Sequence, residues 1–297
     1  MSTPEARRAD LLLALATLIW AASFAVVKQA LTVSSPLAFT AARFAIAALV
    51  LTPFARLDQR FSRGELFAGA LVGGLLAVGF ATQTVGLVYT TPARSAFIVA
   101  SSSILAPIVA FVAAREPLRA SLIAALALAS AGMYLITNPE TGGLNRGDLW
   151  TLVTALCFGA QIAAVTQVSR RYEPLRLVWM ETVVTAVGAG VAALLTEKVT
   201  FTSGSTLAAT LAYTGVCATA LALLWQTHAQ QHMSSARAAL IFCLEPVFAA
   251  VISWGWLGEH LTPLQWAGGA LIVIGMVVPE LRPAAPGGRT SGRAVRS

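Results

Sequence analysis

Only 11% of the 297 residues carry charge, against roughly 25% in a soluble domain. Thirteen acids, twenty bases and three histidines are too few to give a chain of this length the polar shell that a water-facing globule needs. A soluble enzyme and a disordered chain are both excluded. Cysteine is scarce as well. Cys157, Cys217 and Cys243 all fall inside apolar runs, so no disulfide framework is expected and the three read as small packing residues. Catalytic signatures are missing: there is no G-x-S-x-G, no Walker A loop and no Cys-x-x-Cys. His228 and His232 stand four apart on one helical face, but without the glutamate of His-Glu-x-x-His a zinc protease has no general base. No cofactor, no metal site and no enzymatic activity are expected.

What is abundant is apolar surface, with 57% hydrophobic residues and a mean hydropathy of +0.75. A bilayer core about 30 Å thick takes roughly 20 helical residues per crossing. Runs of about that length occur at 11–31, 36–54, 65–88, 93–113, 118–137, 148–168, 175–195, 206–230, 235–257 and 263–278. They lack the apolar–polar alternation of a membrane barrel. The fold class expected is therefore an all-α membrane protein of ten transmembrane helices. Arg7 and Arg8 ahead of the first run resemble the start of a signal peptide. The run is longer than a signal core and ends without a clear cleavage site, so it reads as the first helix.

The net charge of +7 suggests a nucleic-acid binder only until its distribution is read. Nucleic-acid domains gather Lys and Arg on one face, whereas here they stand in small groups between apolar runs. With the N-terminus inside, alternate loops and the tail place fifteen of the twenty basic residues on one side and three (Arg94, Arg146 and Lys198) on the other. By the positive-inside rule both termini are cytoplasmic. The expected partners are the lipid bilayer and a small-molecule substrate, with no nucleic acid, and a monomer is compatible with this architecture.

The chain repeats itself. A shift of 143 residues lays Ala93-Arg94-Ser95-Ala96 on Ala236-Arg237-Ala238-Ala239, Gln83 on Gln226, Glu116 on Glu259 and Gly132-Met133 on Gly275-Met276. Nearer the start a shift of 138 pairs Asp10-Leu11 with Asp148-Leu149 and Pro36-Leu37 with Pro174-Leu175. The expected organisation is a cytoplasmic N-terminus (1–10), a five-helix repeat (11–137), a connecting loop (138–147), a second repeat (148–279) and a basic tail (280–297). The tail's composition reads as disordered. Five helices is an odd number, so the second unit is inverted relative to the first. Inverted repeats place a binding cavity near the bilayer midplane, between the halves, and expose it alternately to either side. That points to a secondary transporter.

Charges inside apolar helices are expensive and mark function. Glu245 lies near mid-bilayer, ahead of Pro246, and its repeat counterpart is Ser102 in the polar run Ser101-Ser102-Ser103 ahead of Pro107. Interrupted helices at matching positions point to a site. Trp20 and Phe158 occupy corresponding depths, and Trp179 is near Glu181. The amides Gln83, Gln161 and Gln226, with His228, can bond either a ligand or a neighbouring helix. Together Trp20, Gln83, Ser101, Ser102, Phe158, Gln161, Trp179, Gln226, His228 and Glu245 form the expected cavity set. Arg43 and its counterpart Glu181 are assigned gating or structural roles. Inversion separates them by about 10 Å in depth, too far for a direct ion pair. Lys28, close to a helix end, is expected to snorkel.

Ile19-Trp20-Ala21-Ala22-Ser23-Phe24 with Lys28 resembles the first-helix signature of EamA-type members of the drug/metabolite transporter superfamily. Ala93-Arg94-Ser95-Ala96-Phe97 with Glu116, and Leu244-Glu245-Pro246-Val247 with Leu257-Gly258-Glu259, resemble the later motifs of its two units. The resemblance spans about residues 10–280 and implies export of small metabolites, often amino acids, from the bacterial cytoplasm. It is similar to the YddG-like amino-acid exporters. Arg115-Glu116-Pro117 departs from the usual Gly-Glu at the end of the first unit. The expected function is export, or facilitated diffusion, of amino acids by alternating access. Export of cationic compounds drawn by Glu245 is the alternative within transport, and a non-transporting scaffold or receptor the alternative outside it.

Overall fold

The structure is a computed structural model that describes residues 4–117, 120–137, 145–202, 204–257 and 262–281. The tail beyond 281, Glu259, Leu118 and most of the connecting loop lie outside the described residues. The described chain is helical, with one isolated bridge between Ser34 and Phe201. The first unit holds α1 (Pro4–Ala30), α2 (Pro36–Leu51), α3 (Arg63–Tyr89), α4 (Pro92–Ala100), α5 (Ser102–Ala114) and α6 (Ala120–Thr137). The second holds α7 (Arg146–Val168), α8 (Pro174–Thr196), α9 (Ser205–Ala212), a π-helical segment (Tyr213–Leu221), α10 (Ala222–Gln230), α11 (Ser235–Phe242), α12 (Glu245–Leu257) and α13 (Pro263–Leu281).

Local chemistry sets the starts of these helices. At α3, Ser62 and Glu65 cap each other's backbone amides, and at α7 Asn145 and Asp148 do the same. Prolines open α2 and α8, where their missing N–H has no partner to lose. The Glu197 carboxylate accepts from the Leu37 and Ala38 amides at 3.0–3.3 Å, placing negative charge at the N-terminus of α2. α5 ends at Arg115 in the left-handed region, φ 55°, which glycine adopts at less cost. The arginine in place of glycine therefore keeps the turn and adds strain to it.

Among the described residues, six helical stretches are long and apolar enough to cross a membrane: Pro4–Ala30, Arg63–Tyr89, Ser95–Ala114, Arg146–Val168, Pro174–Thr196 and Ser205–Gln230. Pro36–Leu51, Ala120–Leu135 and Pro263–Gly275 are apolar but shorter. Large apolar side chains stand exposed on the outside, while polar groups are buried among an apolar core. Leu194, Leu195 and Phe67 are 73–79% exposed, while Thr154, Asp148, Glu181 and Gln230 are at 0%. An apolar exterior of this extent suits a bilayer and no aqueous setting. Some interior hydroxyls bridge helices: Thr40 donates to Thr84 across α2–α3, and Thr82 pairs with Thr154 across α3–α7.

Packing follows the repeat. α3 lies on α7 as α10 and the π-helical segment lie on α1. α3 lies on α8 as the π-helical segment lies on α2. The halves of the two fourth runs pack crosswise, α5 on α11 and α4 on α12, and two pairs of repeat-related helices pack on each other: α2 on α8 and α6 on α13. The last contact is close because Gly132 and its counterpart Gly275 carry no side chain. A Cβ on Gly132 would meet the Gly268 carbonyl at 2.5 Å, and one on Gly275 the Ala125 carbonyl at 2.8 Å.

Polar braces tie the helix ends together. Arg176 holds Glu65 with two bonds, of 2.7 and 3.1 Å, and donates to the Arg56 and Gln59 carbonyls. Glu116 accepts from Gln167 at 2.7 Å and from the Ser235 amide, while Arg237 forks onto Asp10. Lys28 reaches the carbonyls of Leu87 and Thr90 at the C-terminal end of α3, so it bonds protein at its helix end.

Candidate functional site

The fourth helical run of the first unit is interrupted at Ser101, between α4 and α5. Its counterpart is interrupted at Cys243–Leu244, between α11 and α12. The 143-residue shift carries Ser101 onto Leu244, so the two breaks face each other across the same axis. A cavity of about 80 Å³ opens beside them.

Fourteen of its sixteen lining residues fall into seven repeat-related pairs. The 138 shift pairs Trp20 with Phe158, Ser23 with Gln161, and Phe24 with Ile162. The 143 shift pairs Phe80 with Leu223, Gln83 with Gln226, Val99 with Phe242, and Ser102 with Glu245. The cavity therefore sits on the axis relating the two units. Its two walls differ in chemistry. The first unit contributes hydroxyls where the second contributes the Gln161 amide and the Glu245 carboxylate, the single charged group among the described lining residues.

Aromatic rings shape the cavity. Phe80 and Phe158 meet at 4.9 Å between centroids, and Trp20 and Phe242 at 5.9 Å. The Trp20 indole N–H donates to the Ala218 carbonyl at 2.7 Å, which fixes that ring by its polar end. Gln226 Nε2 donates to Gln161 Oε1 at 3.1 Å, and the buried Gln161 Nε2 makes no protein hydrogen bond. A buried donor without a partner is uncommon; here it belongs to a residue that lines the cavity and offers a contact to an acceptor on a ligand.

Of the residues singled out from sequence, Trp20, Gln83, Ser102, Phe158, Gln161, Gln226 and Glu245 come together at this cavity. Ser101, Trp179 and His228 do not line it. Ser101 Oγ turns back to the Ile98 carbonyl at the helix break. Trp179 stacks on Phe61 and donates to Thr52 near the end of α2. His228 is exposed, with its ring 5.6 Å from that of His232. Among the described residues no group of three or more His, Cys, Asp or Glu could hold a metal.

Arg43 and Glu181 are both buried, at 2% and 0% exposure, and form no ion pair with each other. α2 and α8 run antiparallel, with Ala41 beside Gly190 and Thr52 beside Trp179. That register leaves about seven residues, or about 10 Å, between Arg43 and Glu181 along the helix axis. Arg43 instead donates to Thr219 Oγ1 and lies over the Phe80 ring. Neither Glu181 oxygen has a hydrogen-bond partner.

Phe24, Phe80, Leu223, Phe242, Val99 and Ser23 were not singled out for the cavity from sequence. Helical spacing finds several of them: Phe24 is four residues from Trp20, while Phe80 and Leu223 are three from Gln83 and Gln226. Residues so spaced share a helix face.

The EamA-like transporter family pattern matches residues 7–138 and again 145–278. An uncharacterized transporter of Archaeoglobus fulgidus is 36% identical over 275 residues, covering 92% of this chain and 86% of its own length. The uncharacterized transporter YyaM of Bacillus subtilis is 23% identical over 86% of this chain and 88% of its own. A crystal structure at 18% identity superposes with a TM-score of 0.76, covering 92% of this chain and 96% of that one, and so shares the fold. With the pattern matched in both halves of a multi-pass helical membrane protein, the chain belongs to the EamA-like transporter family and is a transporter, not an enzyme.

Proposed function

We propose that the protein moves small ammonium-bearing metabolites, most simply amino acids, out of the cytoplasm by alternating access. The observation that carries this reading is the cavity of repeat-related pairs with a single carboxylate, Glu245, set among amides, hydroxyls and aromatic rings. A zwitterion suits such walls: its ammonium group faces Glu245, and its carboxylate takes donors such as Gln161 Nε2 and the serine hydroxyls. Size supports it too. A cavity of about 80 Å³ has room for about five to eight waters, and hence for a ligand of about as many non-hydrogen atoms, the scale of alanine, serine or threonine.

In this reading ten helices cross an inner membrane as two inverted units, 11–137 and 148–279, joined by 138–147. Both termini lie on the cytoplasmic side. The shorter helices reach across by thinning the bilayer locally and by their flanking residues. The interrupted runs at Ser101 and Cys243–Leu244 are where the halves hinge about the cavity.

A second reading, export of cationic compounds, is favoured by one observation: a lone carboxylate near Trp20, Phe24 and Phe158 resembles an aromatic box for a cation. Counterflow in proteoliposomes with labelled alanine, serine and phenylalanine, beside cationic dyes, separates the two. Amino-acid exchange is expected. Dye transport without amino-acid exchange refutes the main reading in favour of the second.

A further inference from the structure

α3 is α-helical from Arg63 to Tyr89, but its repeat counterpart is not: Tyr213–Leu221 is π-helical. Nine residues in this state are unusual, because π-helix accounts for well under 1% of residues and occurs mostly as single turns, frequently at functional sites. The wider winding alters which carbonyls are available. Ala222 N–H donates to the Cys217 and Thr219 carbonyls. The Ala218 carbonyl, which an α-helical turn would offer to Ala222, takes the Trp20 indole instead. Thr219 Oγ1 likewise reaches five residues back, to the Thr214 carbonyl.

Three long-range contacts hold the segment. Tyr213 donates to the Ile19 carbonyl at 2.8 Å, Trp20 to Ala218, and Arg43 to Thr219 through Nε at 3.1 Å and Nη2 at 3.0 Å. Two of the three reach α1 at the cavity wall. The third comes from a buried guanidinium that also lies 4.8 Å from the Phe80 centroid and 5.4 Å from that of Phe44. Phe80 in turn packs on Phe158 across the cavity. Gly215 brings α2 this close, since a Cβ there would stand 2.7 Å from Ile46 and 3.1 Å from the Arg43 carbonyl. Arg43 thus touches both supports of the aromatic wall: Phe80 directly, and Trp20 through the segment whose Ala218 carbonyl tethers it. Its counterpart Glu181 makes no comparable contact.

We propose that Arg43 and the π-helical segment form an adjustable wall behind the cavity, and that Arg43 is a positioning residue setting the size of substrate admitted without touching it. Relaxation of the segment to α-helical winding returns the Ala218 carbonyl to the helix, frees the Trp20 indole and widens the cavity. Arg43, by holding Thr219, opposes that change. This inference rests on the cavity being the substrate site.

The test is transport by the full chain in proteoliposomes, with alanine and phenylalanine as small and bulky probes. Wild type is expected to favour alanine. Thr219→Val and Arg43→Lys, which lose the hydroxyl acceptor and the two-pronged donor, should each lower the ratio of phenylalanine KM to alanine KM about fivefold, the scale of one hydrogen bond. Maximal rates should change less, and Thr219→Ser should restore the wild-type ratio. A merely structural role for Arg43 would lower stability and leave the ratio alone. Should Thr219→Val fail to fold, Trp20→Phe keeps a ring but removes the donor to Ala218, and the same shift is expected. An unchanged ratio in folded Arg43→Lys and Trp20→Phe overturns the inference alone. Failure of wild type to carry either amino acid overturns the substrate reading and this inference together.

Discussion

Breaking the Arg176–Glu65 pair should reveal how firmly α2, α3 and α8 are clamped at one end of the protein. The side chains are 5% and 10% exposed, and the guanidinium is fully engaged. Nε and Nη2 fork onto the carboxylate, Nη1 reaches the Arg56 and Gln59 carbonyls, and the group lies 3.9 Å over the Phe61 ring. Removing one partner of a buried pair costs about 3–5 kcal/mol. Because Arg176 keeps two carbonyls and the ring after Glu65→Gln, we expect about 2–3 kcal/mol for that variant. Arg176→Gln should cost a similar amount, since Glu65 then loses both guanidinium bonds and keeps the Ser62 backbone amide. The double variant removes both charges, so its loss should fall short of the sum by about 2 kcal/mol, within the range for contacting residues. Reversible unfolding in mixed detergent, scored for all four proteins, measures this directly. Strict additivity of the two single substitutions would refute the clamp.

Two further outcomes follow from packing and from the braces. Gly132→Ala should destabilise by about 1–2 kcal/mol, because strain of about 2–3 kcal/mol against the Gly268 carbonyl and Ile272 amide exceeds the gain of about 1 kcal/mol in helix propensity. Gly74→Ala, with nothing within 4 Å, should stabilise by about 0.5–1 kcal/mol; thermal melts of the two should move in opposite directions. Glu116→Ala should cost about 1–2 kcal/mol through Gln167 and the Ser235 amide. Asp10→Ala, at a pair about one-third exposed, should cost less than about 1 kcal/mol. The same melts check the order.

The helix boundaries were legible wherever local chemistry sets them. Pro36 and Pro174, and the caps at Ser62 and Asn145, start helices within two residues of the expected positions. The paired interruptions near Ser101 and Leu244 could be anticipated from Ser101-Ser102-Ser103 and Glu245-Pro246, because polar groups and prolines weaken the helical ladder at matching depths. Rotation about each helix axis was harder to read. Trp179 is two residues from Glu181 and looks central, yet its indole turns to Thr52; nothing local distinguishes the two directions. His228 faces outward for the same reason. The apolar lining of Phe24, Phe80 and Phe242 is indistinguishable in type from core. The π-helical segment was illegible, because the contacts that hold it come from Ile19, Trp20 and Arg43 on distant helices.

The most direct test of the account is saturable exchange of labelled alanine by wild type and Glu245→Gln, reconstituted at equal levels and matched for melting temperature. Loss of a hydrogen bond to a charged group, about 1.5–3 kcal/mol, should raise the KM for alanine about 10- to 150-fold in a protein that remains folded. Absence of exchange by wild type, or an unchanged KM in Glu245→Gln, would contradict the assignment of the cavity as the site where an amino acid crosses the membrane.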